Sequence, residues 1–318
     1  MENQTRYLAD LHCHTNRSDG SDTPQELIDH AAELHMEILA ITDHDVRPPE
    51  RIRLADGKEA ELTEYGKLRG IQLLPGIEIS CDTLVEDCHI ICFGCDWKDP
   101  YFDELEQRVA ASKIKSYRTL IRRLTEHGMP LTWEEVLDNN GSPIEEEHVQ
   151  KKMIFELMAR KGYAPDWGAA KLMVKNTPAY QISREKPDPI EVIAKIHNAG
   201  GIAIMAHPYL VNEPVRLPGN SKASRRKYID LLIRAGLDGI EASYTYDKTS
   251  YGGTMTPEEI ENAVRSEYSD RVSIISGGSD YHNDQKKGAK KIRHIGERGV
   301  SPEYVRSNSL LSGLLPSL

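Results

Sequence analysis

Short apolar runs alternate with segments of helical period along most of the chain. The first apolar run predicts a strand over 7–14. A helix is predicted over 24–35, because Thr23 and Glu26 have the spacing of a capping box. The next apolar run, in "EILAITDHD", predicts a buried strand over 38–42. Strand, helix and strand in this order are typical of a parallel βαβ unit.

The same alternation recurs to the end of the chain. Further strands are predicted in "IQLLPGIEIS", "DCHIICFG", "GGIAIMAHP", "LDGIEAS" and "VSIISGGSDYH". This gives seven candidate strands, most of them separated by helices. The pattern predicts an α/β fold with a closed or nearly closed parallel barrel rather than a sandwich.

One long segment, 100–180, has little strand signal and predicts a helical insertion. Helices are predicted over 101–127, 146–160 and 166–174. The predicted domains are a barrel formed by 1–98 with 182–318, and an insertion formed by 99–181.

The composition is that of an ordinary globular protein, with 318 residues, 39% hydrophobic and 28% charged. Five cysteines, an odd number in a large chain, do not indicate a disulfide framework. No apolar run has the length of a membrane span, and no signal-peptide pattern opens the chain. We therefore expect a cytoplasmic location and no membrane association.

The formal net charge of −10 argues against binding of long nucleic acids, which requires clustered lysine and arginine. An acidic protein can still bind phosphate locally where metal ions supply positive charge. The charge therefore favours small phosphorylated partners or short oligonucleotide ends. The sequence predicts no protein partner.

Residues of the metal-binding types fall repeatedly at predicted strand ends, where parallel barrels carry their sites. Such residues are His12, His14, His44, Glu78, His207, Asp280 and His282. His12 and His14 share one face of the first strand, because side chains alternate along a strand. That pair alone leaves two surface histidines as the alternative to a metal site.

Cysteines in "CHIICFGC" offer a rival metal site, because Cys88, Cys92 and Cys95 have a spacing similar to thiolate ligands. The chain has no second CxxC pair to complete a Cys₄ site. Free cysteines in an apolar strand usually pack as small hydrophobic residues. A structural role is therefore predicted for these cysteines.

Six motifs taken together resemble those of one family, in its order. They are "DLHCHTNRSDG", "AITDHD", "PGIEIS", "CHIICFG", "AHP" and "GGSDYH". They resemble the polymerase and histidinol phosphatase (PHP) family of metal-dependent phosphoesterases, over nearly the whole chain outside the insertion. The resemblance implies a distorted seven-stranded β/α barrel that holds two or three divalent ions of manganese, iron or zinc.

The resemblance also implies a trinuclear site with specific ligands. The first metal would be held by His12, His14, Glu78 and Asp280. Glu78 would bridge to a second metal, held also by His89 and by a histidine of the insertion, best matched by His148. The third would be held by Asp19, His44 and His282. The alternative for His148 is a solvated helix start.

Such a site fits hydrolysis of phosphate esters without a serine or cysteine nucleophile. Paired metals clamp a phosphoryl group and make a bound hydroxide available near neutral pH. Asp280 is predicted to orient that water, and His207 to bind phosphate or protonate the leaving group, with a structural role as its alternative. The basic candidates for a phosphate contact are Lys151, Lys152, Arg184 and Arg216.

The predicted function is hydrolysis of small phosphate esters. Relatives of this kind act on nucleotides, nucleoside 3′,5′-bisphosphates, short RNA ends or ribose cyclic phosphates. The alternatives are a non-catalytic metal-binding scaffold and an exonuclease acting on short oligonucleotides.

Overall fold

The computed structural model describes residues 7–286 and 291–317. The chain divides into two compact units, the first formed by Met1–Asp103 with Pro187–Leu318 and the second by Glu104–Lys186. These divisions fall a few residues after the predicted domain boundaries. The reason is that the first turn of a long helix packs with the first unit, where the ring centroid of Phe102 lies 5.1 Å from that of Trp97.

The first unit is built on a seven-stranded sheet whose strands are hydrogen-bonded in chain order. They are β1 (Ala9–Asp10), β2 (Ile38–Ile41), β3 (Gln72–Ser80), β4 (His89–Phe93), β5 (Ile202–Met205), β6 (Gly239–Ser243) and β7 (Ile274–Gly277). The first strand is shorter than the predicted 7–14. The backbone of its continuation still reaches the last strand, because Leu11 N donates to Gly277 O at 3.2 Å. The seven-stranded, nearly closed barrel is therefore confirmed.

One strand runs against the others, so the expectation of a parallel barrel is wrong at β4. This strand pairs antiparallel with both β3 and β5, whereas every other neighbouring pair in the sheet is parallel. The cause is the short connection from Ser80 to His89. A parallel return needs a crossover of about a dozen residues or more, and this loop is too short for one.

Helices alternate with the strands of the barrel and form most of the second unit. They are α1 (Pro24–Glu33), α2 (Leu62–Leu68), α3 (Pro100–Glu126), α4 (Trp133–Asp138), α5 (Lys151–Arg160), α6 (Trp167–Asn176), α7 (Pro189–Asn198), α8 (Arg225–Arg234), α9 (Pro257–Tyr268) and α10 (Pro302–Ser307). Helix α1 begins where predicted, because Thr23 and Glu26 form the capping box. No helix in the described ranges is both long and apolar enough to cross a membrane.

The helical unit has an apolar core of its own, which includes Leu124, Trp133, Ile154 and Met158. Helix α5 begins at Lys151, so the predicted start at 146 is wrong. Glu146–His148 form a separate 3₁₀ turn, since Gln150 has the extended backbone of an N-cap.

The barrel unit buries apolar faces of its strands and covering helices in clusters such as the one around Leu11, Ile91 and Ile204 and the one around Leu27, Leu39 and Leu73. All five cysteines are free and buried, as expected for small hydrophobic residues. The barrel is therefore held by packing and by its hydrogen-bonded sheet.

Candidate active site

Polar side chains from every strand of the barrel meet at one edge of the sheet. His12 and His14 follow β1, His44 follows β2, Glu78 lies in β3, His207 follows β5, Glu241 lies in β6, and Asp280 and His282 follow β7. His89 joins them as the first residue of β4. Because β4 is antiparallel, its beginning lies at the same edge as the ends of its neighbours.

Glu78 lies at the centre of this cluster and is completely buried. Its Oε2 atom lies 3.1 Å from His12 Nε2, 3.2 Å from His14 Nε2 and 3.1 Å from His44 Nδ1. One carboxylate oxygen therefore faces three imidazoles that come from the ends of two different strands.

The other oxygen of Glu78 accepts two hydrogen bonds. His89 Nδ1 and His207 Nε2 each lie 2.9 Å from Oε1. His207 is 3% exposed, and its ring lies against those of His12 and Tyr244. The histidine predicted to act on the substrate thus contacts the carboxylate predicted to bridge two metals.

Asp280 is oriented by two donors on one of its oxygens. Tyr244 Oη donates to Oδ2 at 2.7 Å, and Arg293 Nη1 donates to the same atom at 2.6 Å. The second oxygen, Oδ1, lies 3.1 Å from His14 Nε2 and 3.5 Å from His12 Nε2. The side chain therefore presents one oxygen to the histidines while the other is held.

His282 and Asp19 form the outer part of the cluster. His282 Nε2 lies 2.8 Å from Asp19 Oδ1, and Nδ1 donates to the backbone oxygen of Asp280 at 2.8 Å. The ring of His282 stacks on that of His14, with centroids 4.1 Å apart. The backbone contact fixes which nitrogen of His282 faces Asp19.

The two central carboxylates are anionic. Burial by itself raises the pKa of Glu78. His44, His12 and His89 have the larger effect, and they lower this pKa to well below its usual value. Burial likewise raises the pKa of Asp280, and Arg293 and His282 outweigh it, so this pKa also falls well below normal. Negative charge at the centre favours cations.

The same carboxylates raise the pKa of neighbouring histidines, whereas burial lowers it. Burial lowers the pKa of His14, yet its contacts with Asp280 and Glu78 raise it to about 9. At His89 burial dominates and lowers the pKa to about 4, which leaves this imidazole neutral at pH 7. The cluster thus contains both protonated and neutral imidazoles around one carboxylate.

The loops that carry the cluster are fixed by further buried carboxylates. Asp10 accepts from the backbone N–H groups of Ser279, at 3.0 Å, and Gly296, at 2.8 Å. Gly278 packs on His12 so closely that a Cβ there would lie 2.3 Å from His12 Cβ. These contacts join the residues after β1 to those after β7.

Three groups of side chains in the cluster have the residue types and closeness of metal sites. They are His12, His14, Glu78 and Asp280; His44, Glu78 and His89; and His14, Asp19, His44 and His282. Within each group the potential ligand atoms all lie within 4.8 Å of one another. Imidazole and carboxylate donors suit first-row divalent metals.

Unpartnered buried atoms support this fit. His12 Nε2, His14 Nε2, His44 Nδ1 and Glu78 Oε2 are buried and make no hydrogen bond within the described residues. A buried polar atom left without a partner costs about 1–3 kcal/mol. Divalent cations among these atoms would remove that cost, so the residues fit the implied metals.

The sequence profile of the PHP domain matches residues 10–164. The chain carries a PHP domain. Two relatives are similar over most of their length. A 5′-3′ exoribonuclease of Haemophilus influenzae is 27% identical over 86% of this chain and 89% of its own length. A phosphoribosyl 1,2-cyclic phosphate 1,2-diphosphodiesterase of Eggerthella lenta is 25% identical over 92% of this chain and 98% of its own length.

A solved structure supports the same assignment. A candidate metal-dependent phosphoesterase of Bifidobacterium adolescentis superposes with a TM-score of 0.66 and 26% identity, over 94% of each chain. The prediction of a PHP-family, metal-dependent phosphoesterase is confirmed at this level.

Beside the PHP cluster lies a cavity of about 270 Å³. Its walls include Glu78, His89, His207, Asp280 and His282, and also Asp87, Tyr244, Lys248 and Arg293. Sequence reasoning missed Tyr244, Lys248 and Arg293 as site residues. The strand-end rule could have found the first two, which follow β6, whereas Arg293 lies in "KKIRHIG", where no strand precedes it.

Five other predicted residues do not belong to the cluster around Glu78. His148, Lys151, Lys152 and Arg184 belong to the helical unit, where His148 ends the 3₁₀ turn and is exposed. Arg216 belongs to the barrel unit, but it lies exposed in a small hairpin formed by Val215–Arg216 and Lys222–Ala223. The structure therefore does not bring Arg216 to the cavity, and among the residues that the structure describes, the lysine and arginine that line it are Lys248 and Arg293.

Proposed function

We propose that this PHP protein hydrolyses small phosphate esters at the cavity beside Glu78, using two or three divalent ions of manganese, iron or zinc. The observation that carries the proposal is the set of buried, unpartnered imidazole and carboxylate atoms around Glu78. His44 and Glu78, which carry two of these atoms, line a cavity of about 270 Å³, slightly below the usual range for sites that hold small molecules.

The metal assignment follows the three groups of ligand atoms. One ion would be held by His12, His14, Glu78 and Asp280, a second by Glu78 and His89, and a third by Asp19, His44 and His282, so that each imidazole holds one ion. Bound there, divalent ions supply Lewis acidity and lower the pKa of a bound water towards about 7. His148 stays a prediction as a further ligand of the second ion.

The chain's own groups then orient the substrate and handle protons. Asp280 presents Oδ1 to the reaction side because Tyr244 and Arg293 hold Oδ2. His207 lines the cavity and is placed to bind a phosphate oxygen or to protonate the leaving group. We propose Lys248 and Arg293 as phosphate contacts, because they are the cations in the cavity wall. Lys151, Lys152, Arg184 and Arg216 stay predictions for this role.

The substrate class follows from size and charge. A cavity of about 270 Å³ has room for a phosphate and part of a nucleoside, but not for a duplex. The net charge of −10 opposes long polyanions. The relatives described above are named for activity on RNA and on a ribose cyclic phosphate. We therefore propose nucleotides, nucleoside bisphosphates, ribose cyclic phosphates and short RNA ends as substrates, with a cytoplasmic location.

The test combines metal analysis with a substrate comparison. The protein is reconstituted with Mn²⁺, Fe²⁺ or Zn²⁺. Its kcat/KM is then measured on a mononucleotide, a nucleoside 3′,5′-bisphosphate, a ribose cyclic phosphate and a short 5′-phosphorylated RNA. An end-blocked DNA duplex serves as the comparison substrate, and it should be the poorest. If the blocked duplex is the best substrate, the small-ester proposal is wrong.

A further inference from the structure

Glu241 is a completely buried carboxylate that contacts the metal cluster without belonging to it. It lies in β6, and none of the three groups of potential ligands includes it. Its two oxygens have different closest donors, although Oε2 also lies 3.4 Å from His12 Nδ1. Oε1 lies 3.2 Å from His12 Nδ1, and Oε2 accepts the backbone N–H of His207 at 2.8 Å.

The contact with His12 decides which ring nitrogen can bind a cation. A carboxylate only accepts hydrogen bonds, so His12 Nδ1 carries the proton in the pair. The lone pair of the neutral ring is then on Nε2, which lies 3.1 Å from Glu78 Oε2 and 3.5 Å from Asp280 Oδ1. Carboxylates that fix a metal-binding histidine in this way also raise its basicity as a ligand.

The contact with His207 holds an unusual backbone conformation. His207 has φ 28° and ψ 58°, in the left-handed region that non-glycine residues rarely adopt. Such a backbone conformation persists only where the surrounding structure holds it in place. The hydrogen bond from its N–H to Glu241 is one such restraint, and with it the ring of His207 reaches Glu78 Oε1 at 2.9 Å.

We propose that Glu241 is a positioning residue that sets the tautomer of His12 and the backbone of His207 together, and so aligns one metal ligand with the histidine of the cavity. The proposal rests on the proposed metal-dependent function. It assigns two tasks to a single carboxylate because Glu241 contacts both His12 and His207. These two histidines in turn contact different oxygens of Glu78.

Glu241→Gln is the decisive variant because it keeps the size of the side chain. A glutamine has one acceptor oxygen and one NH₂ group, so it cannot keep both close contacts, and an oxygen that stays on His207 leaves His12 only the longer 3.4 Å contact. Glu303→Gln, at an exposed position of α10, is the matched control. Thermal unfolding of both variants checks that the barrel stays folded.

The first readout is the nitrogen spectrum of the Zn²⁺-loaded protein with ¹⁵N-labelled histidine. Zn²⁺ is used because a bound ion takes one ring nitrogen of His12, so the spectrum shows which of the two nitrogens carries the proton. In the wild type we expect His12 to be protonated at Nδ1 and bound through Nε2. A wild-type His12 protonated at Nε2 overturns the proposal without any variant.

The second readout is equilibrium affinity for Zn²⁺ and Mn²⁺, measured by calorimetry. Glu241→Gln should weaken it by about 10–100-fold, the usual effect of losing a carboxylate behind a metal-binding histidine. It should also lower kcat by more than it raises KM, because Lys248 and Arg293, the proposed phosphate contacts, are unchanged. Affinity and kcat within twofold of the control contradict the proposal. Absence of Zn²⁺ from the wild type contradicts the proposed function instead, so the two failures are distinguishable.

Discussion

Glu78→Gln tests the centre of the site, because this one side chain contacts five imidazoles. The substitution keeps the volume and replaces one carboxylate oxygen by an NH₂ group. Even if that group replaces Oε1, the oxygen with fewer contacts, the hydrogen bonds from His89 and His207 are lost. Hydrogen bonds to charged groups contribute about 1.5–3 kcal/mol each. The expected loss is therefore about 3–6 kcal/mol, the sum of two such bonds.

A loss of this size corresponds to a fall in kcat/KM of about 10²–10⁴-fold if it is felt in the transition state. The assay is phosphate release from a mononucleotide after reconstitution with Mn²⁺, together with metal content per chain and thermal unfolding. Glu303→Gln is again the control, and it should behave as the wild type. A folded Glu78→Gln protein with turnover within about tenfold of wild type, a barrier change near 1.4 kcal/mol, would refute the bridging role.

Three further outcomes are expected. The wild type should bind two or three transition-metal ions per chain, and fewer than one after reconstitution with Mn²⁺, Fe²⁺ and Zn²⁺ would contradict the metal proposal. Asp19→Asn should lower the metal count by one, because Asp19 occurs in a single ligand group, and an unchanged count would exclude it as a ligand. Gly278→Ala should lower the melting temperature and weaken metal binding, since its Cβ would lie 2.3 Å from His12 Cβ. Gly313→Ala, with open space around it, should change neither, and equal effects of the two would show that the contact does not matter.

The fold was largely predictable because local signals suffice for most of its elements. The capping box of Thr23 and Glu26 determines where α1 begins, and apolar runs mark the strands. The direction of β4 escaped prediction because an apolar pattern has no direction. Only the short connection between Ser80 and His89 excludes a parallel return, and that argument depends on loop length.

The candidate ligands were predictable for a similar reason, because strand ends place His12, Glu78 and Asp280 at one edge whatever the details of packing. The cations proposed as phosphate contacts were not, since tertiary packing alone brings them to the cavity wall. Arg293 lies far along the chain from any strand end, yet its guanidinium is fixed by Asp284 and contacts Asp280. No sequence pattern marks such a contact.

The contact between β1 and β7, called the seam below, has a consequence for how the protein folds and binds metal. His12 and His14 follow the first strand, whereas Asp280 and His282 follow the last, so a growing chain presents these two halves of the site at very different times. With the ligands proposed above, complete metal uptake has to wait until β7 has docked beside β1. Afterwards every ion shared by the two halves opposes opening of the seam, and a ligand at 100 times its Kd adds about 2.7 kcal/mol to the free energy of unfolding. Metal supply in the cell would then govern how long the folded chain survives as well as how fast it works.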